Sequence, residues 1–173
     1  MRAFLYLIVI VLANVVTAKF APLQLGVFII PLGTFCIGLT FILRDLVQNK
    51  YGRKNTYLII ITALLFSAAT SSFLGDTLWI VFASALSFAI SETTDTEIYT
   101  RLKLPLTKRV FYSGTVGGIL DSAIFVVVGL SPLGAGFVPW NFVWMAILGQ
   151  VVFKVVMQGL GVLGIKLINK GEI

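Results

Sequence analysis

Asp121 and Lys154 are the residues of this sequence best placed to do chemistry. Asp121 lies about eleven residues into the apolar run VFYSGTVGGILDSAIFVVVGL, and Lys154 about fourteen into the run that starts at Trp140. A charge at the centre of a bilayer costs at least ~2.5–3.5 kcal/mol, so it normally faces a bundle interior or a water-filled cavity. The two runs are consecutive and hence antiparallel, which puts both residues at similar depth and leads us to expect an ion pair. A carboxylate in such a place accepts two N–H donors at once. An ammonium or a carboxamide donates to a carbonyl oxygen. Phe125, one turn after Asp121, offers a flat apolar wall. The blander reading, a pair that only holds two helices together, uses the same residues.

Spacing adds partners. Gln150, Lys154 and Gln158 recur every four residues and form one polar stripe, as do Ser84, Ser87, Ser91 and Asp95. Asn14 sits near the middle of the first apolar run. Gly114, Gly117, Gly118 and Asp121 share a face of small residues that admits a close neighbour, either within the chain or between copies of it, so a homo-oligomer is among the expected partners. Polar and small faces on several helices describe a cavity inside a bundle.

A second group is more ambiguous. The stretch SETTDTEIYTRLK, residues 91–103, reads as a solvated loop after an apolar helix. Yet the apolar residues before it, Thr77 to Ile90, would rise only ~21 Å as a helix, too short for ~30 Å of hydrocarbon. The helix must then continue to about Tyr99, carrying Ser91, Glu92 and Asp95 into the membrane. Arg44 and Asp45, at the inner end of another apolar run, are oppositely charged to or competing with those acids, and an inner gate made from the four is the expectation.

The elements that position these residues follow from composition. The chain has 173 residues, 58% hydrophobic and 12% charged, against roughly 45–50% and about 25% in soluble domains. The expected fold is all-α: a single polytopic membrane domain, 1–173, with six transmembrane helices near 3–18, 27–46, 57–73, 77–99, 110–130 and 140–168. Eleven Lys and Arg residues, around 44–54, around 101–109 and at the two ends, fall on one side of such a topology, and Lys19 alone on the other. Lys and Arg favour cytoplasmic loops, so both termini are expected in the cytoplasm. The first helix resembles a signal peptide in composition, but no convincing cleavage site follows it, and we read it as retained.

Several function classes drop out. There is no His, and Cys36 is the only Cys, which removes His/Cys metal sites, disulfides and Ser–His or Cys–His catalysis. No GxxxxGK[ST] loop is present for ATP hydrolysis. No cofactor and no metal are expected. The net charge of +6 belongs to membrane-facing loops, so nucleic acid is not an expected partner, whereas lipid is.

Four segments read together carry a family resemblance: ANVVTAK at 13–19, FILRDLVQNKYGRK at 41–54, SETTDTEIY at 91–99 and DSAIF at 121–125. They resemble the signature segments of the queuosine-precursor transporters, also called vitamin uptake transporters. The resemblance implies an inner-membrane importer of 7-deazapurine bases such as 7-cyano-7-deazaguanine or its aminomethyl relative, not an enzyme. It singles out Asn14, Lys19, Arg44, Asp45, Ser91, Glu92, Asp95, Asp121, Ser122 and Lys154, to which the bottom-up reading adds Phe125 and Gln150. Either Glu92 or Asp121 is expected to read the donor edge of the base. Two other classes remain as alternatives: a substrate-binding subunit of a larger uptake system, and a metal-dependent membrane enzyme built on the DTE acids at 95–97. Proton coupling and facilitated diffusion are both open.

Overall fold

The structure, a computed structural model, describes residues 2–20, 23–25, 28–75 and 78–170. Helix α1 (Arg2–Lys19) leads into two three-residue strands, β1 (Leu23–Leu25) and β2 (Phe28–Ile30). Then come α2 (Gly33–Phe73), α3 (Leu78–Arg101), α4 (Leu106–Ile124) with its continuation as a π-helix (Phe125–Leu130), and α5 (Trp140–Lys170). Among these, Gly33–Phe73, Leu106–Leu130 and Trp140–Leu167 are long and apolar enough to cross a membrane, and Arg2–Thr17 is a shorter apolar helix. The expected helix starts at Val27 and Thr77, and the outward position of Asp76, lie outside the described residues.

The expected second helix, 27–46, is corrected at its start. Phe28–Ile30 is a strand, paired antiparallel with Leu23–Leu25, and the helix begins only at Gly33. The cause is local. Pro31 disfavours helical backbone at Ile30, the residue before it, and FII is a β-prone triplet. The first helical turn forms immediately afterwards, with the Thr34 N–H donating to the Pro31 carbonyl at 2.9 Å.

A polar loop from 47 to 56 was also expected, and here the helix continues. Gln48, Asn49, Lys50, Arg53 and Lys54 are tolerable helix formers, and the only non-helical backbone inside α2 is Gly52, at φ 77°, ψ 167°. That single residue reverses the chain. A straight helix of 41 residues would be ~60 Å long, yet residues from its two ends, Gly33 and Ser71, line the same cavity. So α2 is two antiparallel limbs, 33–51 and 53–73, and the described residues form six helical segments. The backbone at Gly52 lies in a region open essentially to Gly alone. Gly52→Ala is therefore expected to lower stability by about 1–3 kcal/mol, read as a drop in the thermal midpoint of the purified protein in detergent. An unchanged midpoint would contradict the strained turn.

Packing ties the segments together in three groups, one of them Val126, Val143, Ala146 and Ile147, which joins the π-helical continuation of α4 to α5. Tyr6 and Ile10 of α1, Val47, Ile60 and Ala63 of the two limbs, and Phe88 of α3 form one buried cluster. Ile42, Tyr99, Val110 and Ile165 form another that joins α2, α3, α4 and α5. Arg2 Nη1 reaches the Leu46 carbonyl, and Arg53 pairs with Glu97. These contacts gather Arg2, Lys50, Arg53, Lys54, Arg101, Lys103, Lys108 and Lys166, all exposed, at one end of the bundle. The strands, the turn after Phe73 and the turn after Leu130 lie at the other. Large apolar side chains such as Leu58, Leu65, Trp144, Leu160 and Leu167 face outward between the two ends, as a lipid-facing surface requires.

Candidate functional site

The centre of the bundle holds a cavity to which every helix contributes. Asn14 and Thr17 come from α1, Thr34 from the first limb of α2, and Ser67 and Ser71 from the second. Ser84, Ser87 and Phe88 come from α3, Asp121 and Phe125 from α4 and its π-helical continuation, and Gln150 and Lys154 from α5. The enclosed space is about 100 Å³, below the ~300–1,000 Å³ typical of small-molecule sites, so a substrate would have to part the helices that line it. The lining runs from the middle of the bundle toward the end that carries the strands.

Its charged element is a pair. Lys154 Nζ donates to Asp121 Oδ2 at 2.6 Å and to Ser122 Oγ at 2.8 Å. Lys154 is 4% exposed and Asp121 14%, so the carboxylate is the member open to the cavity. The Ser122 hydroxyl in turn donates a hydrogen bond to the Gly118 carbonyl at 2.8 Å. Asn14 Nδ2 donates to the backbone and side-chain oxygens of Ser67, both at 3.0 Å. The buried Gln150 Nε2 makes no hydrogen bond among the described residues, so a donor stands ready on the cavity wall. The π-helix begins at Phe125, directly after the turn that carries Asp121. Such insertions often mark functional positions, and here the wider turn is held by Trp79, whose Nε1 donates to the Val128 carbonyl at 2.7 Å.

Toward the basic end lies a second, fully buried group centred on Arg44. Its Nη2 pairs with Asp45 Oδ1 at 3.0 Å and with Asp95, and its Nε lies 3.4 Å from Glu92 Oε2. Its Nη1 donates to Thr96 Oγ1 at 3.0 Å and to Gln48 Oε1 at 3.4 Å. Gln48 in turn donates to Thr100 Oγ1 at 2.7 Å. Arg44, Asp45, Glu92 and Asp95 are all at most 1% exposed. The fully buried Tyr6 hydroxyl faces Glu92 from α1, and Ser113 donates to Asp45 from α4. Among the described residues no acid cluster is arranged to hold a metal ion, because the guanidinium occupies the point on which these carboxylates converge.

The small face of α4 makes both groups compact. A side chain at Gly114 would overlap the Gln158 amide, whereas one at Gly118 would only touch Lys154, at 3.4 Å. One at Gly117 would meet Phe41 and Asp95 at 3.0–3.1 Å. These glycines therefore serve contacts within the chain.

The residues singled out from sequence divide accordingly. Asn14, Asp121, Phe125, Gln150 and Lys154 line the cavity, with Ser122 behind Lys154. Arg44, Asp45, Glu92 and Asp95 form the buried hub. Ser91 is buried but turns its hydroxyl back to the Phe88 carbonyl at 3.1 Å. Lys19 is exposed at the end of α1 and joins neither group. Of the two acids considered for reading a substrate, Asp121 faces the cavity and Glu92 faces Arg44. Sequence reading overlooked Tyr6, Gln48, Thr96, Ser67 and Ser71. The last two were within reach, since they stand four apart on one helical face.

Residues 58–167 match a family model described as "Putative vitamin uptake transporter". No curated protein and no solved structure matches the chain.

Proposed function

The chain belongs to the vitamin uptake transporter family, and from that premise we propose that it imports 7-deazapurine bases, the precursors of queuosine, across the inner membrane. Six crossings with both termini in the cytoplasm put the basic end inside, in keeping with the preference of Lys and Arg for cytoplasmic loops. The cavity mouth then faces outward and the Arg44 hub closes the inner side.

The observation that carries the proposal is the Asp121–Lys154 pair on the cavity wall, with Phe125 one turn away. A guanine-like edge presents two parallel N–H donors, at the ring nitrogen and the exocyclic amine. Asp121 accepts both, a charge-assisted bidentate contact. The neighbouring carbonyl takes a hydrogen bond from Lys154 or from Gln150, whose amide is free to give one. Phe125 covers the face of the ring, and the serines and threonines of the other helices complete a polar but uncharged wall. Access then alternates around this site as the hub opens and the outer mouth closes.

Uptake of labelled 7-deazaguanine bases into cells unable to make queuosine, with this gene as the only addition, tests the reading. Accumulation of label and restoration of queuosine in transfer RNA are the expected results. Failure with the cyano, aminomethyl and unsubstituted bases alike would remove the substrate assignment.

A further inference from the structure

The hub around Arg44 has a charge imbalance that its role as a closed inner gate does not explain. Three carboxylates, Asp45, Glu92 and Asp95, meet one guanidinium, and all four side chains are at most 1% exposed. The groups facing them from every neighbouring helix do not close the gap. From α1 comes only Tyr6, which is neutral. From α3 itself comes Tyr99, also neutral, with Arg109 of α4 stacked on its ring at 4.6 Å. Arg109 acts on Asp45 through space but forms no ion pair with it among the described residues. Asp121, the other acid that Glu92 senses, is already matched by Lys154. Arg53 and Arg101 are spent on Glu97 at the outer surface of α3. Counting Arg109 in full, two cations still face three carboxylates.

An uncompensated buried carboxylate costs several kcal/mol, so a site of this kind takes up a compensating charge. Independent geometry says the same. Among the described residues the buried Asp95 Oδ1 lies in neither a hydrogen bond nor an ion pair, so this oxygen has no compensating positive charge of its own. The space for a metal ion is filled by the guanidinium, and a proton needs no space.

We infer that the Arg44–Asp45–Glu92–Asp95 hub carries one exchangeable proton, held on Glu92, and that the proton couples inward movement of the substrate to the proton gradient. Glu92 is the carrier because Arg44 holds it least closely, at 3.4 Å against 3.0 Å for Asp45 and a shorter contact for Asp95. It is also nearest the supply, one helical turn from Phe88, which lines the cavity. When protonated, its O–H donates to the Tyr6 oxygen, and Arg44 is left with two carboxylates rather than three. The proton enters from the cavity, bonds to a Glu92 carboxylate oxygen, and leaves to the cytoplasmic side when the hub opens. One proton then accompanies each neutral base.

This inference rests on the transport reading, and the test separates the two. Purified protein in vesicles is given a labelled 7-deazaguanine base, first at equal pH with unlabelled base inside, then with the outside more acidic by one unit. Wild type is expected to exchange label in the first arm. In the second it should accumulate base about tenfold, the limit for one proton per substrate, and lose that gain with an uncoupler. Glu92→Gln should keep the exchange and lose the accumulation, whereas Glu97→Gln, an acid of the same helix outside the hub, should keep both. Exchange by wild type without any response to the gradient would overturn proton coupling and leave transport standing. A readout independent of substrate is the infrared stretch of a protonated carboxyl at neutral pH, expected in wild type and missing in Glu92→Gln. Its absence from wild type would overturn the inference even if no substrate were transported.

Discussion

Asp121→Asn should cut uptake of the base by at least about 100-fold while the protein still reaches the membrane. Two charge-assisted hydrogen bonds to the substrate are weakened, each worth about 1.5–3 kcal/mol, and ~1.4 kcal/mol is a factor of ten. The single variant also strands Lys154, which is 4% exposed and bonded to Asp121 at 2.6 Å. Removing one partner of a buried pair typically costs about 3–5 kcal/mol, so a drop in thermal stability is expected as well. The double variant Asp121→Asn with Lys154→Gln resolves the ambiguity. It removes both charges, so stability should recover to near wild type. If the pair only joins α4 to α5, uptake recovers with it. If Asp121 reads the substrate, the double variant is folded and still inactive, which is the expected result. Normal uptake by the stable double variant would sink the assignment.

Arg44→Gln should be the most damaging single change to the fold, lowering stability by about 3–5 kcal/mol or more. It leaves Asp45, Glu92 and Asp95 packed together without the cation they share. Arg44→Lys should recover only a minor part of the loss. The guanidinium engages Glu92, Asp45, Asp95, Thr96 and Gln48 through three separate nitrogens, and a lysine offers one point with three donors. Combining Arg44→Gln with Glu92→Gln and Asp95→Asn should restore much of the stability, because amides need no counter-charge. Thermal unfolding in detergent measures all three. An Arg44→Gln protein as stable as wild type would mean that the hub is open to water and is not a closed gate.

How much of this could be read in advance depended on whether the physics was local. Helical periodicity is local, and it alone put Gln150, Lys154 and Gln158 on one face and aligned Ser87, Ser91 and Asp95. All six are buried. Two consecutive helices must run antiparallel, and that sufficed to bring Asp121 opposite Lys154. The length of hydrocarbon against the rise of a helix sufficed to read SETTDTEIY as helical, and α3 runs unbroken to Arg101. Where a neighbouring residue imposed a different local rule, the reading failed: Pro31 made Phe28–Ile30 a strand, and Gly52 turned the chain with no loop at all.

What the amino-acid order determined by itself, then, is a bundle of apolar helices with a polar interior and charge at one end. Only the tertiary structure decided which acid faces the cavity and which faces Arg44. Glu92 and Asp121 have the same chemistry, and no period along α3 or α4 distinguishes them. The distinction comes from the rotation of each helix about its axis, set by contacts remote in sequence. Gly117 lets α4 close on Phe41 and Asp95, and Gly118 seats Lys154 against α4. Arg44 reaches across from α2 to claim Glu92 and leaves Asp121 to the cavity.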